Sequence, residues 1–164
     1  MDNAARRSLD RFDLKILELW QERGDIGAAE MAQVVPLSAS QCARRMQQLR
    51  HAGFVRAVPA VLDGDKLGIG FSAYVLLTMA SHDPEACEAF HARIHALDEI
   101  VECQKLAGSA DMIVKVATHD LAAFNRLLTQ KLLAAPEVAT AHSSIVLECV
   151  KSTTRLPLRF ATGD

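Results

Sequence analysis

Between Asp10 and about His51 the apolar residues recur at helical spacing, in three short stripes. Phe12, Ile16, Leu17 and Trp20 make the first, Met31, Val34 and Val35 the second, and Cys42, Met46 and Leu49 the third. Gly24 closes the first stripe and Pro36 follows the second, and both are helix-end signals. Ser38, with Gln41 three residues on, predicts a capping box that opens the third helix. Gly53 stands just past that helix, where a C-terminal glycine belongs. Phe54–Val58 then reads as a short strand. Three short helices and a strand, with a brief connection between the second and third helices, predict a winged helix-turn-helix over residues 9–60.

The region 61–70 holds Asp63, Gly64, Asp65, Gly68 and Gly70, a composition that suits a linker. Beyond it the period changes. Residues 71–80 read as a strand and 84–97 as a helix, with Pro84 acceptable in its first turn. Residues 100–107 and 112–118 read as strands joined by a turn at 108–111. A helix over 121–134 ends before Pro136, and a long strand over 138–150 follows. This order, βαββαβ, is the split, ferredoxin-like arrangement. The expected fold class is therefore α+β: a winged helix-turn-helix, a ferredoxin-like domain over 71–150 and a C-terminal tail over 151–164.

The chain has 164 residues, half of them hydrophobic, which is room for two small packed domains. No apolar run reaches the roughly 18 residues of a membrane span, and no membrane partner is expected. Residues 1–10 are polar and lack the apolar stretch of a signal peptide. Together with four cysteines at irregular spacing, this points to free thiols in the cytoplasm.

The formal net charge is −2, but it is unevenly spread. From Met31 to Leu62 there is no Asp or Glu, while Arg44, Arg45, Arg50 and Arg56 give that stretch a local charge of +4. From Leu67 onward 8 basic residues face 11 acidic ones, a balance of −3. A cationic helix and wing match DNA phosphate. With Cys42, Met46 and Leu49 facing inward at about 100° per residue, Ser40, Arg44, Gln47 and His51 point outward, flanked by Gln41 and Gln48. Such side chains can bond to major-groove base edges. Arg44, Ser40, Gln41 and Gln48 are the expected base readers, Arg50 and Arg56 phosphate contacts, and Ser38 joins this set at the helix start. Arg45 lies nearer the inward face, so a phosphate contact and an internal ion pair are both open to it.

The order and spacing of several segments resemble the Lrp/AsnC, or feast/famine, family. Leu9-Asp10-Arg11-Phe12-Asp13 followed by Ile16-Leu17 is similar to the family's opening "LDxxDxxIL". Leu37-Ser38, Cys42-Ala43-Arg44-Arg45-Met46, Leu49 and Gly53-Phe54-Val55 resemble its recognition segment. Leu106–Asp111 resembles its effector-loop pattern "xxGDxD", with Ser109 in place of the first aspartate and Ala110 in place of an aromatic. Val150-Lys151 and Leu156-Pro157 resemble its C-terminal close.

The resemblance implies a transcriptional regulator that binds double-stranded DNA at a pseudo-palindromic operator. It implies a homodimer assembling to a tetramer or octamer, and an amino-acid effector bound between sensor domains. By position it implies effector contacts from Gly108, Ser109, Ala110 and Asp111, with Gln104, His142, Ser143 and Ser144 as selectors of the effector's side chain. Asp111 is open to two roles, pairing with an effector ammonium or capping a β-turn. No cofactor, metal site or catalytic residue is expected. His91 and His95 share a helix face, with Cys87 one turn before, which an exposed helix face accounts for without metal. Two alternatives share the architecture: an enzyme resembling the sirohaem decarboxylases, for which His142 is the candidate residue, and an effector-independent DNA-organising protein.

Overall fold

The structure is a computed structural model, and it describes residues 8–161. The chain divides into two compact units. One comprises the residues up to Val61 together with those from Lys151 onward, and the other is Leu62–Val150.

The first unit is built on α1 (Arg11–Glu22), α2 (Ala28–Val34) and α3 (Ala39–His51). Asp10 caps α1 by accepting from the Phe12 and Asp13 amides at 2.9 and 2.8 Å. The predicted box on α3 forms: Ser38 Oγ accepts from the Gln41 amide, and Gln41 Oε1 accepts from the Ser38 amide at 2.9 Å. At the other end of α3, Gly53 adopts φ +76°. Its N–H reaches Arg50 O, and the Phe54 N–H reaches Leu49 O, so the last carbonyls are satisfied by a left-handed C-terminal cap. The apolar stripes meet in a core of Ile16, Trp20, Ile26, Met31, Val35, Cys42 and Leu49.

The predicted strand at Phe54–Val58 is a correction. Among the described residues these positions form no ladder. A helix precedes them, and Pro59, which has no N–H to donate, follows. Val58 packs instead at Gly24, where an added Cβ would sit 2.5 Å from Val58 Cγ1, so Gly24 is fixed by close approach. Residues 155–158 dock on the helical unit. Gln21 Oε1 accepts from the Leu156 amide at 2.9 Å, and Gln21 Nε2 donates to Leu156 O at 3.1 Å. Arg155 pairs with Glu22, and Leu158 packs on the helical core.

The second unit holds β1 (Phe71–Met79), α4 (Pro84–His95), β2 (Ile100–Lys105), β3 (Met112–Thr118), α5 (Leu121–Leu127) and β4 (Val138–Ile145). The sheet order is β2-β3-β1-β4 and every pairing is antiparallel. Alternate residues of β1 and β3 (Ala73, Val75, Leu77; Met112, Val114, Val116) face a core closed by Phe90, Ile94, Phe124, Leu127 and Leu132.

Two predicted elements end early. After Leu127 the helix widens into a π-helical turn, Leu128–Leu132, with Leu133 N–H bonding Leu128 O and Thr129 Oγ1 donating to Asn125 O. Such a side-chain bond competes with the helical ladder. β4 stops at Ile145 rather than 150 because its partner runs out: Ala73 faces Ile145, and the Val146 N–H makes a last bond to Ser72 O near the start of β1. The 61–70 segment folds into a tight turn, with Ile69 N–H on Gly64 O at 2.7 Å.

Candidate nucleic-acid interface and effector loop

On α3 the capped start and buried inner stripe fix which side chains face out. Ser40, Arg44, Gln47 and His51 are exposed, as the helical step requires, and Gln48 is half-buried. Arg44 has no ion-pair or hydrogen-bond partner among the described residues, and neither has Arg56, so both guanidiniums remain available. The oxygen of Gln41 is committed to the capping box. Ser38 and Ser40 share a hydroxyl contact at 3.0 Å. Arg50 is exposed and lies 4.7 Å from the Trp20 ring, a cation–π contact that leaves its edge on the surface.

Arg45 takes the internal role of the two open to it. Its Nη1 lies 2.7 Å from Asp13 Oδ1 and 2.9 Å from Asp10 Oδ2. Asp13 is only 2% exposed. A buried carboxylate needs a partner, and Arg45 supplies one, so its guanidinium is engaged within the helical unit. Hydrogen bonding to Asp13 raises the Arg45 pKa against the opposing effect of burial. Burial works against ionised Asp10, yet the Asp13 amide and the Arg45 guanidinium hold its carboxyl below the ordinary 3.8. Burial pushes the Cys42 thiol up, against the nearby Arg45 charge. The family-like opening placed Asp13 in the sequence, but nothing local announced its partner 32 residues on.

In the second unit, Leu106 N–H bonds to Asp111 O at 2.7 Å and closes the 106–111 loop between β2 and β3. Gly108 and Ser109 are exposed and Ala110 is half-buried. A Cβ at Gly108 would meet nothing within 4 Å, and its φ is not positive, so the loop geometry alone does not demand glycine there. Asp111 braces the neighbouring strand. Its Oδ2 accepts from the Met79 amide at 2.7 Å, its own N–H bonds Leu77 O, and Oδ1 lies 3.7 Å from His82. The side chain thus ties the loop to the end of β1, a role that the sequence had not suggested.

The proposed selectors do not converge within one chain. Gln104 faces Ile113, Ile113 faces Leu76, and Leu76 faces His142, so two strands separate Gln104 from His142. At about 4.8 Å per strand that is some 14 Å. Ser144, opposite Tyr74, shares this uncovered face, whereas Ser143, opposite Val75, belongs to the other face. Gln104 is bonded to Glu102.

Between α4 and β2 lies a cleft of about 500 Å³ bordered by His91, His95, Asp98 and Lys105, which the sequence reading did not find. Among the described residues no three His, Cys, Asp or Glu side chains gather as metal ligands. Glu137, also missed, is 10% exposed, lies 3.5 Å from Arg93, and has one carboxylate oxygen without a hydrogen-bond partner. Among the described residues no helix is long and apolar enough to cross a membrane.

Residues 9–50 match the AsnC-type helix-turn-helix domain, and residues 72–156 match the Lrp/AsnC ligand-binding domain. The chain belongs to the Lrp/AsnC family. It is 32% identical over 145 residues to the proline dehydrogenase transcriptional activator of Rhizobium radiobacter, covering 88% of this chain and 93% of that one. It is 32% identical over 153 residues to the leucine-responsive regulatory protein of Salmonella typhimurium, with 93% of each chain covered. The solved structure of a Neisseria meningitidis transcriptional regulator in complex with L-Met superposes with a TM-score of 0.90 at 34% identity, over 94% of this chain and 99% of that one. Lrp/AsnC proteins are transcriptional regulators rather than enzymes, and the α+β architecture found here is theirs.

Proposed function

We propose that this Lrp/AsnC protein binds double-stranded DNA through the outer face of α3 and alters transcription in response to a small effector. The observation that carries the reading is Arg44: exposed, without an ion-pair or hydrogen-bond partner among the described residues, and centred on the outer face of a helix that contains no acid. Arg44 reads base edges with Ser40 and Gln48, while Arg50 and Arg56 hold phosphate. Two copies, set about 34–36 Å apart on successive major-groove faces, bind a pseudo-palindromic operator. The second unit supplies self-association, as a homodimer assembling to a tetramer or octamer. The likeness to a regulator solved with L-Met supports an amino-acid effector here. The 106–111 loop is its proposed place, with a second copy completing the site, because the selector residues are dispersed within one chain. A DNA-binding domain supports a cytoplasmic setting.

The test is titration of operator DNA, selected from a random pool, at fixed salt. Arg44→Ala is expected to weaken cognate binding by about 1–3 kcal/mol, or roughly 5- to 150-fold. Equal affinity of variant and parent removes Arg44 from the reading set.

A further inference from the structure

α3 carries three glutamines, at 41, 47 and 48, and the fold treats them differently. Gln41 Oε1 accepts from the Ser38 amide at 2.9 Å, so its carboxamide is committed to the capping box. Gln48 is half-buried and already has an interaction of its own. Gln47 is exposed, and its side chain has no hydrogen-bond partner among the described residues. It therefore keeps a free donor and a free acceptor side by side at the surface.

Helix geometry places this carboxamide beside Arg44. Three residues along a helix turn the chain by about 300° and advance it by about 4.5 Å. Gln47 and Arg44 are thus neighbours on the outer face, with Ser40 on the same stripe and Cys42 and Leu49 buried on the inner side. The two side chains differ in what they can bond. A guanidinium has donors only, and its bidentate match in the major groove is guanine, which shows two acceptors, O6 and N7. A carboxamide has a donor and an acceptor, and its bidentate match is adenine, which shows an N7 acceptor and an N6 donor. Gln47 is uncharged, so it adds little to a sequence-independent hold on phosphate, which rests on cations. What it can add is discrimination between bases.

We propose that Gln47 is a further base-reading residue, and that it recognises an adenine one or two base pairs from the guanine that Arg44 recognises. An advance of about 4.5 Å along the helix compares with about 3.4 Å per base pair. In zinc fingers, helix positions three apart likewise meet successive bases. Each half-site of the operator then holds a guanine and an adenine as close neighbours. This rests on the reading of α3 as the DNA contact.

The experiment selects operators from a random DNA pool at fixed salt, using the full chain and its variants Gln47→Ala, Gln47→Lys and Arg44→Ala. A thermal melt of Gln47→Ala should match the parent, because no hydrogen bond of the helical unit is removed. The parent's pool should converge on half-sites with a guanine and an adenine within two base pairs. Gln47→Ala should lose the adenine, keep the guanine, and bind the parent's operator about tenfold more weakly. Changing that adenine in the operator should weaken the parent about tenfold and leave Gln47→Ala unaffected. Gln47→Lys should exchange adenine for guanine at the same position, a switch that a merely structural role does not produce. Arg44→Ala should relax the guanine and leave the adenine. A Gln47→Ala pool identical to the parent's overturns the proposal. So does an equal weakening on every sequence with the preferences intact, or relaxation at a base other than adenine. If Arg44→Ala alters its pool while Gln47→Ala does not, only the Gln47 assignment fails. If the parent converges on no sequence, the reading of α3 as a base reader fails with it, and the two failures are told apart.

Discussion

A turn of about 100° along α3 separates Arg44, which faces solvent, from Arg45, whose guanidinium lies 2.7 Å from a carboxylate that is 2% exposed. The same side chain in adjacent positions therefore does different work. Arg45→Ala leaves Asp13 buried and deprived of this partner, and is expected to destabilise the helical unit by about 3 kcal/mol in urea titration. The pH dependence follows from Asp10. Its folded-state pKa is lowered, so its contribution is full above the ordinary 3.8 and is lost as pH falls through the depressed value. Acid unfolding of the parent should show this loss, and Arg45→Ala should flatten it. An unchanged acid profile would show that the Asp13 and Phe12 amides alone hold Asp10 low.

At the scale of elements, the ends of α3 and the end of β1 carry the most information. Ser38→Ala removes the Gln41 amide's acceptor and is expected to cost about 1 kcal/mol. Gly53→Ala forces a Cβ into φ +76° and should cost a similar amount, although open space surrounds the site. Both should lower the denaturation midpoint without altering the sensor sheet. Asp111→Ala strips the Met79 amide of its partner and is expected to destabilise the sensor unit by about 1–3 kcal/mol. Asp111→Asn keeps an acceptor oxygen and should cost less. Equal losses in the two variants would mean that the charge facing His82 matters more than the bond to β1. The caps were legible because a cap is a local event, written within four residues. The Asp111 brace was not, because its acceptor and donor lie 32 residues apart.

Across the whole molecule, the segment after Val150 decides how the helical unit is completed. Truncation after Val150 removes Arg155, Leu156 and Leu158 from α1 and the core. It should lower the stability of the helical unit while hydrogen exchange in the buried rows of β1 and β3 stays slow. Equal loosening of both units would place the segment's role elsewhere.

What the sequence determined by itself is what depends on periodicity, caps and charge. These are the three helices with their starts and stops, the βαββαβ order, and the acid-free face around Arg44. Each is set within a few residues by backbone geometry and by which side chains avoid water. Only the tertiary structure decided that Arg45 turns inward to Asp13, that Phe54–Val58 finds no strand to pair with, that β4 stops where β1 begins, and that Gln104 and His142 stand two strands apart. The return of Arg155 and Leu156 to α1 belongs with these. All are pairings between segments far apart in the chain, and a local pattern states what a residue needs without naming which distant residue supplies it.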